Sequence, residues 1–346
     1  MTTNVPDPTR HGLLLESERD ELVAMLSSGR PWEEIDQRSR DLLLARDAMT
    51  AWEIQIRAAS KTCFLFGGYR IFAPIANGET YGVYLGQHLF TGRVDALKIM
   101  HVTVNTVERR ARHLKKLRLQ LSIDSPRFAA VYDVGYTQGV HFAAVEHVRG
   151  ADLRAVLRAN GPLPMTTAAN VLSQVATAIG TVHALELAYG SLQPNKVLVE
   201  KATIKLCDAG EAELLGNNSD LTRASGKGLD FVSPEILTGD EVTPACDVYS
   251  LGCLLYYAVT GKVPFPGGNA DDKRQGHLGL YPLDPRRLAE NLDKAFVDVM
   301  AAMMAKTPGE RIQSAAEVVR RLEPWALATA TGESAERNET SDDQAR

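Results

Sequence analysis

The sequence predicts an α+β fold, a small antiparallel sheet followed by a larger and mainly helical region. Two observations predict it. Between Tyr69 and Val148 the apolar residues tend to alternate with polar ones, the period of two that a half-buried strand imposes. After Gly150 they recur at intervals of three and four, the period of a helix with one face in a core. The stretches "YRIFAPI" (69–75), "TYGVYLGQ" (80–87) and "VDALKIM" (94–100) read as consecutive strands. Asn77-Gly78 and Thr91-Gly92 separate them, and such pairs favour tight turns. A basic helix is expected over about 105–121, and "RFAAVYDVGY" (127–136) and "VHFAAVEHV" (140–148) supply two further strands. Helices are then expected over about 152–159, 166–185, 244–260, 290–305 and 314–323.

Residues 13–60 read as a helical prefix. Its apolar positions, Trp32, Leu42, Leu43 and Trp52 among them, need a surface to pack on, so the prefix is expected to dock on the sheet-and-helix region that begins at Tyr69. Residues 1–12 are expected to be disordered, as is the tail 328–346, which has almost no large apolar side chain. A net charge of -5 over 346 residues argues against nucleic acid or an anionic membrane as a partner. The four cysteines form no C-x-x-C pair, which argues against zinc and for a reducing compartment. No window approaches twenty uninterrupted apolar residues. The expectation is a cytoplasmic protein.

Eight blocks stand in a telling order: "IANGETYGVYLG", "ALKIM", "VEHVRGADL", "AYGSLQPNKVLV", "KLCDAG", "FVSPEIL", "DVYSLGCLLYYAVTGKVPF" and "KTPGERIQSAAEVV". In order and spacing they resemble the bacterial Hanks-type Ser/Thr protein kinases over roughly 69–325. The resemblance implies a bilobal fold, with an N-lobe and hinge over 69–148 and a C-lobe over 149–325. It also implies a buried ion pair between Glu235 and Arg311, and a carboxylate, Asp247, that anchors the backbone of the catalytic loop.

Departures from the family pattern cluster at the chemistry. The family's catalytic-loop aspartate, lysine and asparagine fall on Ser191, Gln193 and Lys196. A serine hydroxyl is neutral and supplies neither the charge nor the basicity of a carboxylate, and Lys196 sets a cation where a metal ligand belongs. The strand lysine is Lys98, but its glutamate partner on the following helix falls near Lys116. Gly228 stands where the activation segment has a threonine. These losses lead to the expectation of a pseudokinase, a degenerate member with no catalytic residue, acting as a signalling scaffold or allosteric partner of another protein. One alternative is a weakly active Ser/Thr kinase or another ATP-using transferase, motivated by the survival of Lys98 and Asp208. Another is an interaction protein with a filled pocket.

The resemblance maps a nucleotide pocket onto Gly78, Val83, Ala96, Lys98, Glu146, Val148, Asp152, Leu198 and Asp208. Val83, Ala96 and Leu198 would sandwich adenine, the backbone of Glu146 and Val148 would read its edge, and Asp152 would lie near the ribose. Core packing and a helix-capping acid account for the same residues equally well. Ala76 and Tyr81 replace two glycines of the phosphate turn, and a tyrosine there hinders close backbone approach; its ring could fill the phosphate site instead. ATP or ADP, if bound, is expected to bind without a requirement for magnesium, Lys196 supplying positive charge, with Asp208 as the one candidate metal ligand.

Overall fold

The computed structural model describes residues 64–77, 81–100, 120–121, 123, 125–137, 140–208 and 226–326. The prefix 13–60, both termini, nearly all of the basic helix with Lys116, and Gly78 lie outside the described residues. Contacts divide the chain into two compact units, the first holding the described residues up to 100 together with 130–147, the second holding 120–129 and everything from 148 onward.

The first unit is an antiparallel sheet of six strands: β1 (Phe64–Phe66), β2 (Tyr69–Asn77), β3 (Tyr81–His88), β4 (Val94–Met100), β5 (Val131–Thr137) and β6 (Val140–Glu146), ordered β1-β2-β3-β4-β6-β5. Alternation decides its faces, because neighbouring residues of a strand point to opposite sides. Leu97 and Ile99 of β4 join Phe66, Tyr69, Ile71, Tyr84 and Phe142 in one apolar cluster, while Ala96 turns to the other face with Ala143 and Val145. Edge-on contact of Phe142 with Phe66, ring centroids 5.4 Å apart, fixes the first cluster.

The second unit holds a three-stranded sheet, β7 (Ala151–Asp152), β8 (Val197–Glu200) and β9 (Thr203–Leu206), and seven α-helices among the described residues. These are α1 (Leu153–Asn160), α2 (Met165–His183), α3 (Pro234–Thr238), α4 (Pro244–Thr260), α5 (Ala270–Gly279), α6 (Lys294–Met303) and α7 (Ala315–Ala326). Its core is built on α2 and α4, with Leu172, Val175, Ile179, Leu251, Leu254 and Leu255 fully buried. Helix α4 begins at Pro244, whose absent N–H suits a first turn, and stops at Gly261, where φ of 68° is open to glycine without a Cβ penalty.

The α+β expectation holds, with local differences that include the following. The strand expected over 127–136 begins at Val131, because Arg127 and Ala129 pair instead with Leu206: Leu206 N–H donates to the Arg127 carbonyl (2.7 Å) and Ala129 N–H to that of Leu206 (2.8 Å). That pairing places 120–129 in the second unit. The helix expected over 290–305 starts at Lys294, after Asp293 in extended geometry. Helix α5 was not expected at all, since "ADDKRQGHLG" has no apolar period. Its start carries a readable signal nonetheless, Asn269 accepting the Asp272 N–H at 2.8 Å as a cap.

Candidate functional site

In the first unit, strand register sets the candidate residues side by side. Val83 pairs with Lys98, Leu85 with Ala96, Ala96 with Val145 and Lys98 with Ala143, so all six share one face. Val83, Val131 and Val134 pack on Ala96, Ala143 and Val145 there. Lys98 is 7% exposed among these small apolar neighbours, and its Nζ lies 5.7 Å from the centroid of the Tyr81 ring, within cation–π reach. The ring of Tyr81 is thus beside the ammonium of Lys98. Glu146 is tied to Ala130 twice: its N–H donates to the Ala130 carbonyl (2.7 Å) and its Oε2 accepts the Ala130 N–H (3.2 Å).

In the second unit, β7 and β8 pair Asp152 with Leu198, making neighbours of two candidates. Asp152 also caps α1, its Oδ1 accepting the Ala155 N–H at 2.9 Å. Val148 is buried, and its carbonyl accepts the Gly150 N–H at 3.0 Å.

The loop before β8 is pinned from beneath by Asp247, which is wholly buried in the first turn of α4. Its Oδ2 accepts the Tyr189 N–H and its Oδ1 the Gly190 N–H, both at 2.7 Å. His183 Nε2 lies 2.9 Å from the same Oδ2, a partner that no motif in the sequence marked. Gly190 has φ of 75°, so a residue with a Cβ would be strained there. The Tyr189 hydroxyl donates to the Cys207 carbonyl, and the Cys207 N–H to the Lys196 carbonyl at 3.1 Å. The loop and the residue before Asp208 are thereby stitched together.

The three altered positions occupy this loop. Lys196, 6% exposed at the end of a single 3-10 turn (Pro194–Lys196), donates from Nζ to Ser191 Oγ at 2.6 Å. Gln193 caps the same turn in extended geometry, its carbonyl accepting the Lys196 N–H at 3.0 Å. Asp208 is 8% exposed and has φ of 65°. A non-glycine residue in that left-handed region costs on the order of 1–3 kcal/mol, and such strain concentrates at working sites.

The Glu235–Arg311 pair is present and bidentate, with Nη1–Oε1 at 2.5 Å and Nη2–Oε2 at 2.7 Å. Arg311 also donates to the carbonyls of Ala305 (2.7 Å), Ala245 (2.9 Å) and Lys306 (3.0 Å). Burial alone would raise the Glu235 carboxyl; its hydrogen bonds, those from Arg311 foremost, outweigh it and hold the group below the usual carboxylate range.

Residues 69–323 match the family model described as the protein kinase domain. The chain belongs to the protein kinase family. The first unit is its antiparallel-sheet N-lobe and the second its helical C-lobe. Among similar proteins are serine/threonine-protein kinase PrkC of Bacillus subtilis, 28% identical over 73% of this chain and 39% of that protein. Serine/threonine-protein kinase PknH of Mycobacterium tuberculosis is 28% identical over 75% and 42%. PknJ of the same organism is 31% identical over 73% and 44%. The chain thus matches about two fifths of the length of these relatives.

This finding corrects three expectations. The scaffold pseudokinase and the absence of enzymatic activity do not stand against a family match to relatives named as serine/threonine-protein kinases. The physical reason is that phosphoryl transfer passes through a loose transition state, so positioning and electrostatics carry most of it and loss of the base removes only a part. Nor does nucleotide handling without magnesium stand, since protein kinases use ATP with magnesium. Among the described residues no cluster of three or more His, Cys, Asp or Glu could hold a metal by itself. Magnesium, however, binds through one or two carboxylates together with substrate phosphates, and Asp208 fits one such ion. Lys196, at the family's asparagine position, does not fit a second. No described helix is long and apolar enough to cross a membrane.

Proposed function

We propose that the chain is a slow ATP-dependent serine/threonine protein kinase domain, acting on hydroxyl groups of a protein substrate. The observation that carries this reading is the state of Asp208, a buried carboxylate held at φ of 65° next to a loop that Asp247 anchors at Tyr189 and Gly190. Strain of that kind, held in place by its surroundings, is found preferentially at working sites. Lys98, with Val83 and Ala96 on its face of the sheet, supports the same reading from the first unit.

In this reading the first unit supplies Val83 and Ala96 to the adenine, the Glu146 backbone to its edge and Lys98 to the phosphates; the second unit supplies Leu198 and the Val148 backbone to the base and Asp152 to the ribose. Asp208 would hold magnesium, which would screen the triphosphate charge. The substrate hydroxyl attacks the γ-phosphorus, the bond to the leaving ADP oxygen breaks, and the hydroxyl proton passes to water or the transferred phosphoryl group. Ser191, engaged by Lys196, has no carboxylate to take that proton. Transfer is therefore slower by about 10²- to 10⁴-fold than with a positioned base.

Melting curves with ATP, in magnesium and then in excess EDTA, test the nucleotide site. ATP at ~100 times its dissociation constant stabilises by about 2.7 kcal/mol, and the shift should be larger with magnesium and fall in Asp208→Ala. No shift in either condition, or one indifferent to magnesium, would refute the proposal.

A further inference from the structure

The second unit contains a cavity of about 630 Å³, walled by α1, α2, the β8–β9 hairpin and the end of α7 at Ala326. Its size falls within the ~300–1,000 Å³ of small-molecule pockets. Val156, Leu163, Val171 and Val199 line it and are only half-buried, so apolar surface in this cavity stays wet when nothing occupies it.

The far wall is built rather than accidental. Gln174 makes four hydrogen bonds, two of which tie the hairpin to α2: its Nε2 donates to the Ala202 carbonyl (2.9 Å) and its Oε1 accepts the Ile204 N–H (3.3 Å), while Nε2 also donates to Asn170 Oδ1 (2.9 Å) and Oε1 accepts from Arg127 Nη1 (2.9 Å). All the hydrogen-bonding capacity of that amide is thereby engaged, leaving it little to offer a ligand.

One lining residue carries a charge, Lys201 at the hairpin tip, and no acid lines the cavity. Lys201 has φ of 55°, where glycine or asparagine is the easy choice for a two-residue turn. A strained lysine at the mouth of an apolar cavity joins a cation to a hydrocarbon-like wall. We infer that this cavity binds a small free amphipathic carboxylate, its apolar body against Val156, Leu163, Val171 and Val199 and its anionic head at Lys201. The site is independent of the phosphotransfer reading.

Titration calorimetry of the full chain with decanoate, below its micelle concentration, tests it. Saturable one-to-one binding is expected, with a dissociation constant on the order of 0.1–1 mM for a ligand of that size. Lys201→Gly should weaken it roughly tenfold, an ordinary loss for one exposed charge-assisted contact. That variant removes the cation at a position whose geometry glycine accepts, so misfolding cannot account for the loss. Val156→Trp, which fills the cavity, should abolish binding while leaving the melting temperature within a few degrees; should it unfold the protein, decanol supplies the other arm, since it keeps the hydrocarbon and lacks the charge. Absence of saturable binding, equal affinity for decanol and decanoate, or undiminished binding in Lys201→Gly overturns the inference.

Discussion

Lys196 donates from its ammonium to the hydroxyl of Ser191 across 2.6 Å, the two residues that the family resemblance aligns with a metal-binding asparagine and a catalytic aspartate. One relationship therefore replaces two functional groups. An ammonium that is 6% exposed engages the hydroxyl, and the loop keeps its shape through Asp247 instead of through its own chemistry.

Reinstating both groups, Ser191→Asp with Lys196→Asn, is expected to raise the initial rate of phosphotransfer by about 10²- to 10⁴-fold. Ser191→Asp alone should gain much less, because the new carboxylate would form an ion pair with the ammonium beside it. Groups that act as a unit respond together, so the double variant should exceed the product of the singles. Initial rates for the four proteins decide it, and a double variant no faster than the parent contradicts this account.

Asp208→Gly should separate stability from activity. Glycine accepts φ of 65° readily, so urea midpoints should rise by the equivalent of up to about 1 kcal/mol, while ATP-dependent transfer is lost. A variant that is both less stable and equally active would show that Asp208 is structural.

Much of the fold was legible in the sequence, for reasons tied to particular residues. The alternation in "VDALKIM" placed Ala96 and Lys98 on one face because strand geometry allows nothing else. The helix 244–260 was readable to the residue from Pro244 and Gly261. Helix α5 was illegible by period because polar tertiary contacts hold it: Lys273 pairs with Asp230, and Lys306 donates to the carbonyls of Gly276 (3.0 Å) and His277 (2.7 Å) at its end. The Lys196–Ser191 hydrogen bond was equally hidden, since a separation of five residues across a 3-10 turn has no sequence signature. The expectation of lost activity weighed the missing groups fully and the looseness of the transition state too little.

Glu235→Ala should cost about 3–5 kcal/mol, because it strands the Arg311 guanidinium, a buried charge. Replacing both partners, Glu235→Leu with Arg311→Met, should cost less than either single change. Urea denaturation of Glu235→Leu, Arg311→Met and the double variant measures this, and additive losses would contradict the pairing.

Acid should weaken the second unit through His277, which is fully buried with Nδ1 3.0 Å from the Tyr249 hydroxyl. Burial first, then the nearby charges of Lys306 and Lys273, push its pKa from 6.5 down to about 3. The unfolded chain takes up a proton below pH 6.5 and the folded one does not until about pH 3, so the stabilising contribution is complete above 6.5 and falls as pH drops. The loss at pH 5 should be about 2 kcal/mol. Denaturation at pH 8 and pH 5 checks it, and His277→Asn should flatten the difference; an equal slope in that variant would assign the effect elsewhere.

Transfer of labelled γ-phosphate from ATP to a basic protein, in magnesium, with the label traced to serine or threonine, tests the central claim most directly. Slow transfer is expected from the unaltered chain, abolished by Lys98→Ala and by Asp208→Ala. No transfer at any enzyme concentration, or transfer that survives both substitutions, would contradict it.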